Sequence, residues 1–195
     1  MFHLGRPSAA AIAAALDAQR ALPYSYPEAG ASRTGVAAGY PINHFRCLVG
    51  RGDAAYAHAV RALRRWAMYD LPWTEVHPPG APVAAGEVVV VLARHFGFWS
   101  LNPCRVVYVE DRGAAGGFSF ALGTLPGHSE RGEERFRVER QGDEVWLEIL
   151  AFAGPRHWLA WLGYPLLRRL QRAFAREAAA AVTRAVTRAV GSGDA

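Results

Sequence analysis

The sequence predicts an α+β domain: a curved antiparallel sheet of about seven strands gripped by a long C-terminal helix, with an extra N-terminal helix in front. Three observations carry this. From Trp73 to Phe152 one β-branched or aromatic run follows another, separated by turn clusters and interrupted by no helical pattern. After Gly154-Pro155 the apolar period becomes helical and stays so into the tail. A sheet of successive hairpins has an apolar face that must be covered, and the last helix is the element available to cover it.

Ser8 is placed to cap a first helix over 8–21, which Leu22-Pro23 ends. Tyr24 to Thr34 reads as an irregular, turn-forming segment. Gly39 to Val49 reads as a strand closed by Gly50-Arg-Gly52, and Asp53 is a natural N-cap for a helix over 53–68 with Tyr56, Val60, Leu63 and Ala67 on one face. Trp73–His77 is a short strand; Gly86–Phe96 and Leu101–Glu110 are long ones. Gly117–Leu125, Glu134–Arg140 and Val145–Phe152 complete the series, so the sheet is expected over 39–153. Turns fall at Pro78-Pro-Gly80, Asp111-Arg-Gly113 and Gln141-Gly-Asp143. The C-terminal helix is expected over 156–190. Trp158, Trp161 and Leu162 lead into Pro165, which sits in a first turn or kinks the helix. Leu167, Leu170, Phe174, Ala178, Ala181 and Ala185 form its apolar stripe, and Arg168, Arg169, Arg172 and Arg176 cluster on the other side. No repeat or linker divides the chain, so 1–195 is read as a single domain.

Composition removes several function classes. The formal charge is +5, yet all basic residues are arginine and none is lysine, the bias of a GC-rich genome. These arginines are scattered, with no basic block to track a phosphate backbone, so nucleic acid is not an expected partner. Cys47 and Cys104 are too few and too far apart for a metal knuckle or a disulfide scaffold; they read as free buried thiols, with pairing left open. His44, His58, His77, His95 and His157 show no metal-binding spacing, and no cofactor is expected. No serine sits in a nucleophile elbow, and no glycine-rich phosphate loop precedes a helix. Arg6 followed by Ala9–Leu16 has the outline of a signal peptide, but Pro7-Ser8 and Asp17 mark a helix instead. No uncharged run reaches the roughly 18 residues that span a bilayer. A cytoplasmic location fits best.

The most distinctive stretch is Gly117-Phe-Ser-Phe-Ala-Leu-Gly-Thr-Leu-Pro-Gly-His128, followed by Gly132-Glu-Glu-Arg-Phe136. It resembles the signature of the family catalogued as domain of unknown function 1990, also called uncharacterised protein family 0548. Tyr26-Pro-Glu-Ala-Gly30, Gly39-Tyr40, Gly50-Arg-Gly52, Trp66, Trp73, Asn102 to Val109, Val145 to Ile149 and Gly163-Tyr-Pro165 extend the resemblance across nearly the whole chain. Ala153-Gly154 departs from it slightly, where a serine is expected. The family brings no established catalytic residue. The element order further resembles the helix-grip fold of the START and pollen-allergen-like superfamily. That resemblance implies an apolar cavity between sheet and terminal helix.

Candidate site residues follow. Tyr40, Arg46, Trp66, Arg105, Tyr108, Phe120, His128, Glu134 and Trp146 are the expected lining, with the charged members fixing the polar end of a hydrophobic or amphipathic small molecule. His128 and Glu134 are the acid–base candidates if the cavity is catalytic, and catalysis there requires His128, a buried carboxylate and Arg105 to converge. Glu133 and Glu134 point to opposite faces of a strand. One is expected to turn inward and to meet His128, Arg105 or Arg46 as an ion pair. Glu148 shares a face with Trp146, Leu150 and Phe152; whether that face is inner or outer the period alone leaves open. A third reading is peripheral membrane or partner association through Trp158, Trp161, Leu162, Tyr164 and the arginine-lined helix, in competition with the use of the same helix to cover the sheet.

Overall fold

The computed structural model of the chain describes residues 2–155 and 164–192. Its elements are β1 (Phe2–His3), α1 (Ala9–Gln19), β2 (Ile42–Arg51), α2 (Gly52–Arg64), β3 (Thr74–His77), β4 (Val88–His95), β5 (Phe98–Asp111), α3 (Gly113–Gly116), β6 (Phe118–Thr124), β7 (Glu130–Gln141), β8 (Glu144–Pro155) and α4 (Tyr164–Ser192). The seven main strands form one antiparallel sheet in the order β2-β8-β7-β6-β5-β4-β3, and β1 adds a two-residue pairing to β5. Hairpins join β3 through β8 in sequence; only β2 arrives from elsewhere, closing the far edge against β8. Register shifts at Leu48/Gly50 and Val106/Tyr108 are bulges, which raise local twist and help curl the sheet.

The inner face holds the main core. Phe118, Phe120, Phe136, Leu147 and Ile149 meet Ala59 and Leu63 of α2 and Val182 and Val186 of α4. On the outer face, Ile12 and Leu16 of α1 cover Val88, Val90, Leu92 and Leu101. β4 is therefore buried on both sides, which explains why Val88 to Ala93 is apolar without alternation. Ser8 caps α1 by accepting the Ala11 amide at 3.2 Å.

α2 starts differently from expectation. β2 runs on through Arg51, so the cap position falls there, and Asp53 sits in the first turn with its carboxylate paired to Arg140. The helix stops at Arg64, and a left-handed Trp66 turns the chain into a 3-10 turn at Ala67–Tyr69. Pro165 lies in the first turn of α4, where a missing N–H costs no hydrogen bond. The expected start at 156, with His157, Trp158, Trp161 and Leu162, lies outside the described residues.

Residues 24–35 are fastened to the outer face chiefly through one buried carboxylate. Glu133 is 1% exposed and accepts Tyr26 Oη at 2.5 Å, the Gly30 amide at 2.7 Å, the Ser32 amide at 3.1 Å and the Ser32 hydroxyl. Charge-assisted bonds of this kind offset the desolvation of the carboxylate. Gly123, on the neighbouring strand, leaves room for them: a Cβ there would collide with the Tyr26 hydroxyl. Glu133→Ala strands four donors, two of them backbone amides. It is expected to lower the unfolding free energy by about 3 kcal/mol or more, read from the urea midpoint at unchanged slope. A loss below about 1 kcal/mol would show that the segment does not depend on this residue.

Candidate functional site

α4 packs closely along its second half, where Ala175, Ala178, Ala179, Ala181 and Val182 are buried. Its first half carries Leu170, Gln171 and Phe174 and is held to the sheet by polar links. Arg168 donates to the Ile42 carbonyl at 2.8 Å, Asn43 to the Gln171 carbonyl at 3.3 Å, and Trp73 Nε1 to Glu177 at 2.7 Å. The Phe174 ring stands 5.3 Å from Tyr69 and 6.0 Å from Trp73. Under this end of the helix lies a cavity of about 630 Å³.

Its walls are chiefly apolar. Val91, Leu122, Ala151 and Ala153 come from the sheet, Leu170 and Phe174 from α4, and Tyr69 from the turn after α2. The β4–β5 hairpin brings Phe96 and Phe98 to it, and both rings are largely exposed. Phe96 occupies a left-handed conformation at φ 52°, so the tip is a tight turn that presents an unburied phenyl group.

Among the described residues the wall carries acids, two histidines, Tyr69 and Cys104 but no arginine, and Arg168 of α4 stands near enough to Glu130 to act on its charge. Glu130 and Glu134 alternate with Gly132 on β7 and share the inner face. Both are half-buried and line the cavity. Glu130 accepts Gln171 Nε2 at 2.5 Å, and the Tyr69 hydroxyl stands beside Glu134 and tempers the rise of its carboxyl. Burial pushes Glu130 up to about 7; burial, reinforced by the charge of Glu130, pushes Glu134 up to about 8. Burial lowers His128 to about 4, and its Nδ1 accepts the Glu130 amide at 2.9 Å, so the ring is neutral near pH 7 and ties the β6–β7 turn. Burial also raises the Cys104 thiol and lowers the His95 imidazole, leaving both uncharged. Cys47 and Cys104 are both free.

Of the nine expected lining residues, the cavity brings together His128 and Glu134. Most of the others lie elsewhere because the strand faces fall the other way. In β8, Leu147 and Ile149 point into the core, so Trp146, Glu148 and Phe152 point outward. Trp146 lies beneath the Arg46 guanidinium at 4.2 Å, and Arg46 also pairs with Glu139 at 3.1 Å. Tyr40 packs on Phe152 at 5.4 Å and donates to Glu28. Tyr108 bonds Ser32 at 2.8 Å on the outer face. Arg105 caps the end of α1 through the Gln19, Arg20 and Leu22 carbonyls. Trp66 and Phe120 are inner-face residues spent on packing: they meet edge-on at 5.5 Å, with the indole N–H on the Ala81 carbonyl. Among the described residues neither Glu133 nor Glu134 forms the ion pair expected with His128, Arg105 or Arg46. Glu133 is satisfied by neutral donors and Glu134 faces the cavity. Glu130, Tyr69, Gln171 and Phe174 were missed as wall residues. For Glu130 the signal was present, since period two from Glu134 through Gly132 reaches it.

Among the described residues no cluster of three or more His, Cys, Asp or Glu side chains is placed to hold a metal ion, and no helix is long and apolar enough to cross a membrane.

The model of the family described as "Domain of unknown function (DUF1990)" matches residues 25–181. A UPF0548 protein of Arabidopsis thaliana is 38% identical over 153 residues, covering 76% of this chain and 74% of its own length. A UPF0548 protein of Deinococcus radiodurans is 36% identical over 199 residues, covering 95% and 98%. Among solved structures, human STARD10 aligns with a TM-score of 0.50 at 13% identity, over 94% of this chain and 83% of its own. Norcoclaurine synthase from Thalictrum flavum, in complex with dopamine and hydroxybenzaldehyde, aligns at 0.51 and 10% identity over 84% and 94%. At such identities the likeness is one of fold: the sheet with its long C-terminal helix is a helix-grip architecture.

Burial of the Glu134 carboxyl couples stability to pH. The folded state holds its proton more tightly than the unfolded chain, whose carboxyl titrates near 4.5, so its contribution to stability is complete below that value and is lost as pH rises through about 8. Urea midpoints should fall between about pH 5 and about pH 8.5, and fall less in Glu134→Gln. Carbon-detected NMR should place the Glu134 carboxyl midpoint near 8. A midpoint in the ordinary carboxylate range would refute the enclosed setting of this group.

Proposed function

The chain belongs to the DUF1990 family, the uncharacterised UPF0548 proteins, and from that premise we propose that it is a binding module for a hydrophobic or amphipathic small molecule held between the sheet and the first half of α4. The observation that carries this reading is the cavity itself. At about 630 Å³ it lies in the size range of small-molecule sites, and its aromatic and aliphatic walls end in a few convergent polar groups. Glu130 and Glu134 give it an acidic polar end, with Arg168 beside Glu130. A carboxylate-headed ligand would meet two acids there, whereas a hydroxyl or amine finds acceptors. Phe96 and Phe98 are suited to grip the apolar end.

Catalysis is a second reading, favoured by one observation: Glu134 keeps its proton near neutral pH and so has the state of a general acid. The convergence it needs is incomplete, since Arg105 sits on the far face of the sheet. Membrane or partner association through α4 has less left to work with, because the helix face from Ala175 to Val186 is committed to the core.

Titration with the neutral amine probe N-phenyl-1-naphthylamine tests the binding reading. Saturable fluorescence enhancement is expected in the wild type. Ala151→Phe, which fills the cavity from β8, should weaken binding at least tenfold with the far-UV spectrum unchanged. Dodecanol and dodecylamine should displace the probe more effectively than dodecanoate. Absence of saturable binding in the wild type, or equal binding by Ala151→Phe, would contradict the proposal.

A further inference from the structure

On the outer face of the sheet, away from the cavity, a recess of about 70 Å³ lies between β5, β6, β7 and the turn around α3. Four arginines line it, Arg33, Arg112, Arg135 and Arg137, against a single carboxylate, Glu110. Arg33 and Arg112 share that carboxylate at 3.3 and 3.2 Å. The other two reach carboxylates that are already in demand: Arg137 pairs with Glu139, which also serves Arg46, and Arg135 pairs with Glu148, which also takes His44. Five guanidinium groups thus depend on three carboxylates, an excess of two positive charges around one recess.

An exposed lattice of ion pairs would tolerate that excess by leaving the surplus cations in water. Arg135 does not have that freedom. It is 8% exposed, donating through one terminal nitrogen to the Ser32 carbonyl and through the other to Glu148 at 2.8 Å, while its Nε is buried with no partner. A buried guanidinium N–H left unmade is costly and points to an acceptor yet to be supplied. Ser119, also buried, adds a hydroxyl to the wall, and Gly116 and Gly117 bring backbone close without side chains. The register explains the grouping: Glu110, Ser119 and Arg137 are consecutive cross-strand partners on β5, β6 and β7.

We propose that this outer-face recess is an anion site for one phosphate group. Planar guanidinium forks match the oxygens of a tetrahedral oxyanion, and Arg33, Arg112 and Arg137 are exposed enough to close around it. The volume is about that of two water molecules at roughly 30 Å³ each, so the phosphate fits and whatever it is attached to extends into solvent. The same chemistry is offered by a free phosphate or phosphomonoester and by the head group of an anionic lipid. The site rests on residues that take no part in the cavity.

The test titrates inorganic phosphate at constant ionic strength while following backbone amides by NMR. Saturable shifts at Gly116, Gly117 and Ser119 are expected in the wild type. Arg112→Gln/Arg137→Gln should weaken them at least tenfold. Arg169→Gln/Arg172→Gln, with the same charge loss on exposed positions of α4, should bind like the wild type. Flotation with phosphatidylcholine vesicles containing one-tenth phosphatidic acid separates the sources. Flotation that requires Arg112 and Arg137 assigns the site to a lipid head group, and its absence beside phosphate binding assigns it to a soluble phosphate. Shifts that do not saturate, or that fall equally in the two double variants, overturn the proposal.

Discussion

How closely α4 can approach the sheet depends on the size of the side chains between them, and much of the molecule follows from that limit. Along its second half the helix offers Ala175, Ala178, Ala179 and Ala181, and contact with α2 and the inner face is close enough to bury them. Along its first half Phe174 rests on Tyr69 and Trp73, Leu170 and Gln171 face inward, and the sheet curls away beneath. A close-packed interior does not leave 630 Å³ empty by default. The gap persists because polar links from Arg168, Asn43, Gln171 and Glu177 hold the helix in place where apolar packing does not. A cavity and a stable core are thus shared between two halves of one helix.

Two adjacent glutamates show how the sheet divides structure from function. Glu133 and Glu134 differ in position by one residue and so fall on opposite faces. Glu133 meets two backbone amides and two hydroxyls and secures the 24–35 segment, which in turn covers the outer aromatic residues Tyr108 and Phe152. Glu134 meets one phenol and an open cavity, and burial keeps it protonated. The surroundings alone make one a structural anchor and the other a protonated group on a cavity wall.

The order of the elements was legible in the sequence because turn clusters and β-branched runs are local signals. The strands fall near their expected places, the Ser8 cap forms as expected, and the helix-grip architecture matches the element order. Which face of each strand looks inward was not legible. In most half-buried sheets the apolar face marks the core, but here α1 and the 24–41 segment cover part of the outer face as well, so Phe152 and Tyr108 are aromatic yet outward, and Trp146 is outward beneath the Arg46 guanidinium. Arg105 was expected at a polar end of the cavity and instead satisfies the last carbonyls of α1, a role no strand pattern encodes. Tyr69 and Phe174 reach the cavity from a 3-10 turn and from a helix, and only the packing of α4 brings them together.

The central claim is that the space beneath the first half of α4 holds a small molecule. Native mass spectrometry of the protein purified without organic solvent tests it most directly. The account predicts a subpopulation heavier than the bare chain by a discrete mass, released as one small molecule on denaturation and absent when Ala151 is replaced by Phe. A single species at the mass of the chain alone, from several expression hosts and unchanged after incubation with amphipathic amines or alcohols, would contradict it.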